Sequence, residues 1–320
     1  MSTSTDIEKK NVLCVGEALI DIVTRGRKTS EHVGGSPMNV ASSLAQLGHP
    51  TSLASWWGND QRGHTIERSV AEQGIHVVEG SNRAERTSIA KAVLDEEGRA
   101  AYEFDLLWEV PTLPAPRDIS HLHVGSIAAT LEPGALDVLA AVKRMAIQGT
   151  VSYDPNIRPA IMKRSDKKRV EQLVAHCDVV KVSDDDLRWL YPNTPVEQVM
   201  REWAAMGPAL IVVTRGPWGS YARLAGDRDM LVIDALDVEL VDTVGAGDSF
   251  MGGLLSGLLD AGLLGSANAK SEFRRVRWHD VQPALHRGVV TAGLTVSQQG
   301  AYAPTREEVE NVLIAQPLLR

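Results

Sequence analysis

Short apolar runs separated by amphipathic stretches recur along most of this chain, and that alternation constrains its fold more than any other feature. Runs such as NVLCVG, HLHVG and LIVVT have the length of strands, and the stretches between them carry apolar residues at helical spacing. Strands alternating with helices are the signature of βαβ units and of an α/β fold with a mostly parallel sheet. The pattern predicts strands at 11–16, 52–55, 121–125, 150–153, 179–182 and 210–214, and helices at 37–47, 63–73, 134–147, 163–176 and 196–206. Ser36 is the expected N-cap of the first helix, with Pro37 at its first helical position.

Two stretches break the alternation. Residues 17–33 and 87–110 read as extended segments without intervening helices, the second carrying a turn at 95–98. Together they predict a small antiparallel flap beside the main sheet. PTLPAP, at 111–116, reads as an extended connector returning the chain to the main body. With no internal repeat and no inter-domain linker, residues 1–320 read as a single domain.

Composition narrows the function. Hydrophobic residues make up 43% and charged residues 23% of the 320, the balance of a globular protein. The formal net charge of -8 provides no basic stripe for a phosphate backbone, so nucleic acid is not an expected partner. Cys14 and Cys177 lie in apolar runs and form no CxxC pair, which predicts buried, inert thiols in a reducing compartment. The polar start MSTSTDIEKK and the lack of any run near the roughly 20 apolar residues of a membrane span predict a cytoplasmic protein with no membrane partner.

The stretch 241–259, VDTVGAGDSFMGGLLSGLL, carries the most chemistry. Gly245, Ala246 and Gly247 are small enough for backbone N–H groups to approach a ligand, and a periodic apolar run follows at once. A loop opening into a helix presents unpaired N–H groups and a positive dipole end, an environment suited to a phosphoryl group. Asp248 falls in the first turn, where the helix amides favour its charged form and where it can accept a proton from an attacking hydroxyl. A helix-capping aspartate after a tight turn would look the same in isolation. The second stretch is GGSPMN, 34–39, at the end of the first extended segment. Gly34 and Gly35 permit close backbone approach and Asn39 offers a donor and an acceptor to hydroxyls, although a well-capped helix start would need no ligand.

These two stretches also carry a resemblance. GGSPMNVA, followed by six residues to Gly48 and nine more to Gly58, resembles the N-terminal signature of the ribokinase-like, or PfkB, carbohydrate kinases, and DTVGAGDSFMGGL resembles the C-terminal one, about 200 residues later. The similarity extends over essentially the whole chain. It implies a ribokinase-like three-layer α/β/α fold, with a small β-sheet lid that closes over a sugar. It implies ATP as phosphoryl donor, a small-molecule sugar as acceptor, Asp248 as catalytic base, and Gly245, Ala246 and Gly247 as the anion hole for the transferring group.

Further roles follow from the same resemblance. Asp21, in GEALID, matches the acidic residue that binds sugar hydroxyls, with Gly34, Gly35 and Asn39 as further contacts. The lid aromatics Tyr102, Phe104 and Trp108 are expected to bear on the choice of sugar, with Phe104 as a substrate contact, although an aromatic stripe on a strand also serves packing. Arg158, in DPNIR, matches an arginine that reaches substrate or phosphate oxygens in fructokinases and 2-keto-3-deoxygluconate kinases. Thr214, Gly216 and Gly219, in VVTRGPWGS, match the ATP-carrying strand and loop; on their own they read as a hairpin. Ser183 and Asp186, in KVSDDDL, stand where many members carry Asn-x-x-Glu, so the Mg²⁺ site implied at Asp186 is a methylene shorter than the family pattern. Asp242 and the Val244 carbonyl match a monovalent-cation site, filled by K⁺ in relatives. An adenine pocket is implied near 289–297, a charged loop at 266–280 beside it, and a homodimer joined through the flap.

Other phosphate-binding designs are excluded. The chain has no GxxxxGK[ST] and no complete GxGxxG, which removes a P-loop and weakens a dinucleotide oxidoreductase. GEALID, DPNIR and KVS place fructokinase first among the kinases, with ribokinase, 2-keto-3-deoxygluconate kinase and nucleoside kinase as alternatives. A regulator that kept the fold and lost catalysis is the rival from another class.

Overall fold

The computed structural model describes residues 11–26, 28–94 and 100–316. Its strands are β1 (Val12–Val15), β2 (Leu19–Arg25), β3 (Lys28–Gly34), β4 (Thr51–Ala54), β5 (His76–Val77), β6 (Ile89–Leu94), β7 (Ala100–Asp105), β8 (His121–Gly125), β9 (Thr150–Asp154), β10 (Val179–Ser183), β11 (Leu210–Thr214), β12 (Ser220–Leu224) and β13 (Leu231–Ile233). Its helices are α1 (Ser36–Gln46), α2 (Gln61–Glu72), α3 (Gly134–Gln148), α4 (Lys167–Val174), α5 (Asp184–Leu190), α6 (Val196–Met206), α7 (Ala246–Asp260), α8 (Ala267–Phe273), α9 (Trp278–Val296) and α10 (Arg306–Ala315).

Nine strands form one sheet in the order β13-β12-β11-β10-β9-β8-β1-β4-β5. From β11 to β5 all neighbours are parallel, and the β12 and β13 hairpins close one edge antiparallel. Side chains alternate across this sheet with a period of about two. Val12 and Cys14 of β1 and Leu210 and Val212 of β11 enter the core formed with α1, α2, α7 and α9. Leu13, Val15, Ile211 and Val213 enter the core formed with α3, α4, α5 and α6. The result is a ribokinase-like three-layer α/β/α body, as the resemblance implied. Separate from it stands a four-stranded sheet, β3-β2-β6-β7, built from the two stretches that broke the alternation. Within it β2–β3 and β6–β7 are antiparallel while β2–β6 is parallel. The turn predicted at 95–98 lies outside the described residues.

One face of the large sheet departs from an apolar pattern. β8, β9 and β10 turn His121, His123, Thr150, Ser152, Asp154 and Lys181 away from the α3–α6 core, and all six are buried. Burial of polar groups demands partners, and they find one another. His121 contacts Thr150 and Ser152 at 2.8 Å each, and His123 contacts Ser152 at 2.9 Å. Desolvation pushes both imidazoles down to about 3, so they are neutral.

The glycines of MGGLLSGLL let α7 pack closely on α9. A Cβ on Gly253 would stand 1.9 Å from Thr291 Oγ1, and one on Gly257 would stand 2.5 Å from the Ala284 Cα, so α7 and α9 touch backbone to backbone.

Three expectations about helices need correction. The N-cap of α1 is Gly35, not Ser36; Ser36 begins the helix and Pro37 follows it, because the Ser36 hydroxyl is engaged elsewhere. The helix predicted from 163 starts at Lys167, after a short 3-10 turn. The charged stretch 266–280 is mostly helical, comprising α8, capped by the Ser266 hydroxyl, and the start of α9. No helix among the described residues is long and apolar enough to cross a membrane.

Candidate active site

The crevice of an open α/β sheet lies beyond the carboxyl ends of its parallel strands, and several predicted site residues stand at or just after those ends. Asp154 ends β9, Ser183 ends β10 and Thr214 ends β11, with Ser183 and Thr214 in register as neighbours. Thr214 leads into the β11–β12 turn, where Gly216 and Gly219 adopt φ of 54° and 73°. A Cβ on Gly219 would stand 2.0 Å from the Ile233 carbonyl oxygen, so no other residue fits that turn without moving β13.

Gly245 is the N-cap of α7, in the left-handed region at φ 76°, where glycine is favoured. Ala246, Gly247 and Asp248 form the first helical turn, whose N–H groups have no partner within the helix itself. Asp248 is 8% exposed, and both its carboxylate oxygens are held from α1. Ser36 Oγ donates to Oδ1 at 2.6 Å and Asn39 Nδ2 donates to Oδ2 at 2.8 Å. Ser36 was missed as a site residue because Ser before Pro at a helix start is fully explained as a cap.

The segment carrying Ser36 and Asn39 also touches Asp21. A Cβ on Gly34 would stand 2.0 Å from Asp21 Oδ2, and one on Gly35 would stand 2.2 Å from the Glu17 carbonyl oxygen. The two glycines are therefore steric requirements of packing GGSPMN against β2. The register of the small sheet sets His32, Asp21, Ala90 and Phe104 in one row across β3, β2, β6 and β7, on a common face. His32 completes this row and carried no motif of its own. Burial pushes the Asp21 carboxyl up to about 6, against the pull of Arg158 and His32. Burial likewise pushes Glu17 up to about 7, although Ser126, the Ala128 amide and the Arg158 charge all favour its ionised form.

Arg158 ends DPNIR with Nη1 2.6 Å from Asn156 Oδ1, so its guanidinium is steered by its own loop. Asp186 braces that loop: Oδ1 accepts from the Ile157 amide at 2.9 Å and Oδ2 from the Ser183 amide at 3.2 Å, while Ser183 Oγ caps α5. A metal bound directly to Asp186 would compete with these amides. Asp242 accepts from the Val244 amide at 3.1 Å and from the Gly300 amide at 2.9 Å, tying the approach to α7 to the end of α9. Among the described residues no group of three or more His, Cys, Asp or Glu is placed to hold a metal ion. A divalent ion arriving with a nucleotide would be held chiefly by phosphates and water, as Mg²⁺ usually is.

The arrangement thus comprises a row of side chains centred on Asp21, a carboxylate at a helix mouth, and glycine turns at the strand ends. The chain as a whole is similar to known proteins. The family model described as pfkB family carbohydrate kinase matches residues 9–308. A fructokinase of Klebsiella pneumoniae is 32% identical over 263 residues, covering 78% of this chain and 84% of its own length. The crystal structure of a Xylella fastidiosa fructokinase with bound ATP superposes with a TM-score of 0.82 at 25% identity, over 97% of this chain and 99% of that one. That of a Vibrio cholerae fructokinase with fructose, ADP and calcium ion bound gives 0.74 at 25% identity, over 95% and 98%.

Proposed function

Because the chain belongs to the pfkB family of carbohydrate kinases and is a fructokinase-like sugar kinase, we propose that it transfers the γ-phosphoryl group of ATP to a hydroxyl of fructose, in the cytoplasm, with Asp248 as general base. The observation that carries this reading is the aim of that carboxylate. Ser36 and Asn39 fix one oxygen each, which orients the group at the mouth of α7 and leaves lone pairs for an acceptor hydroxyl.

In this reading Asp21, the Gly34–Gly35 backbone, Asn39 and Phe104 hold the sugar, and Arg158 neutralises charge beside it. The four-stranded sheet acts as a lid that excludes water when the sugar is bound. Thr214, Gly216, Gly219 and Ser183 line the nucleotide side. The amides of Gly245, Ala246 and Gly247 meet the phosphoryl oxygens as charge builds on them, while Asp248 takes the hydroxyl proton. Mg²⁺ is the divalent ion of this reading and supplies charge neutralisation on the phosphates; K⁺ near Asp242 and the Val244 carbonyl is the monovalent one.

The test has two arms. A coupled ADP-release screen over hexoses, pentoses, keto-deoxy acids and nucleosides should give its highest kcat/KM with fructose, and a preference for any other acceptor overturns that part. Asp248→Asn should lower turnover by about 10²-fold or more while ATP still binds, given the usual worth of a general base. Near-normal turnover would refute the role of Asp248.

A further inference from the structure

Lys181 lies in VVKVS, an apolar strand buried on both faces, and none of the roles above uses it. Val180 and Val182 of β10 face the α3–α6 core, so alternation turns Lys181 toward α7. Its side chain is 5% exposed, and Nζ lies 2.6 Å from Oδ2 of Asp154, which is fully buried. The ammonium occupies a second defined place: a Cβ on Gly247 would stand 2.9 Å from Nζ, so the charge packs against the last residue of the GAG turn. Burial pulls the Lys181 pKa down, but the charges of Asp154, Asp248 and Asp186 outweigh it and hold the pKa above the ordinary lysine value. The first turn of α7 is therefore backed by one ammonium among three carboxylates.

We propose that Lys181 is a positioning residue for phosphoryl transfer: pinned by Asp154, its ammonium backs the Gly247 peptide and supplies fixed positive charge where the transferring group becomes more anionic. The proposal rests on the reading of GAG as the anion hole. It also explains Gly247, since any side chain there would displace the ammonium from its seat. A preorganised charge in a water-excluded pocket needs no rearrangement during the reaction, and it acts on the transition state more than on bound ATP.

A purely structural ion pair makes a different forecast. Removing one partner of a buried pair strands the other charge and destabilises the fold, whereas replacing both by apolar residues of similar volume is often neutral. The decisive variant is therefore Lys181→Met/Asp154→Leu, assayed with ATP and whichever sugar the wild type turns over best. Its urea midpoint should return close to that of the wild type, its kcat should remain on the order of 10²-fold low, and its KM for ATP should change by no more than a few-fold. Binding of ADP with aluminium fluoride and sugar should weaken by about the same factor as kcat. Recovery of kcat together with stability would overturn the proposal. Asp154→Asn, which keeps the lysine and loosens it, should lower kcat roughly tenfold with little change in the KM for ATP; a wild-type kcat there would refute the pinning. Asp248→Asn run in parallel separates the failures. Collapse of Asp248→Asn beside a fully active double variant sinks only Lys181, whereas an active Asp248→Asn sinks the reading on which it rests.

Discussion

Glu17 offers a prediction in which activity plays no part. It follows β1, is 7% exposed, and accepts from the Ala128 amide at 3.3 Å. Burial raises its carboxyl from 4.5 to about 7, so the folded chain binds this proton more tightly than the unfolded chain does. Whatever stability that proton confers is fully present below about pH 4.5 and is lost as the pH rises through about 7. At about 1.4 kcal/mol per pH unit, the full swing is about 3 kcal/mol. Gln copies the shape and the accepting oxygen of the protonated acid and does not titrate. Glu17→Gln should therefore match the wild type in stability near pH 4.5 and exceed it by about 3 kcal/mol at pH 8 and above, read as the difference between urea unfolding curves. Comparing the two proteins at each pH cancels every other titrating group. A difference that does not change with pH, or a Gln variant less stable at pH 8, would show that burial does not govern this carboxyl.

Two further predictions follow from the proposed sugar-binding role of Asp21. Because the Asp21 carboxyl sits at about 6, kcat/KM for the sugar should fall toward tenfold per pH unit as the pH drops below that value, since the protonated acid is a poorer acceptor for sugar hydroxyls; Asp21→Asn should lack this limb of the profile. Gly34→Ala places a Cβ 2.0 Å from Asp21 Oδ2 and must displace that carboxylate. Steady-state assays should show kcat/KM for the sugar lower on the order of 10²-fold, with the KM for ATP unchanged.

The parts legible in the sequence are those encoded over short spans. Periodicity located β8, β11 and α6 to the residue, because their boundaries coincide with changes in the apolar pattern. It also separated the small sheet from the large one, since 17–33 and 87–110 lack the helices that a parallel crossover requires. What stayed hidden depends on contacts across sequence distance. Ser36 and Asp248 are 212 positions apart, and a serine before proline has a sufficient local explanation as a cap. The stretch 266–280 looked like a loop because its charges obscure the apolar residues Ala269 and Phe273, which are buried.

Lys181 did leave a signal, and its logic is general. A lysine between valines in a strand buried on both faces must find an anion nearby, because an unpaired buried ammonium is too costly to retain. In a parallel sheet that anion comes either from an adjacent strand or from the helix packed above. Here Asp154, on neighbouring β9, meets it directly, and α7 places Gly247 against it and Asp248 within its field. The demand for a partner was readable from VVKVS alone; which carboxylate meets it depends on strand order, and strand order is set by the whole sheet. The same demand links the lysine to the helix mouth. An ammonium placed to satisfy Asp154 at the end of β9 lies at the carboxyl ends of the strands and against Gly247, so the structural pairing and the proposed role in phosphoryl transfer draw on one position on β10.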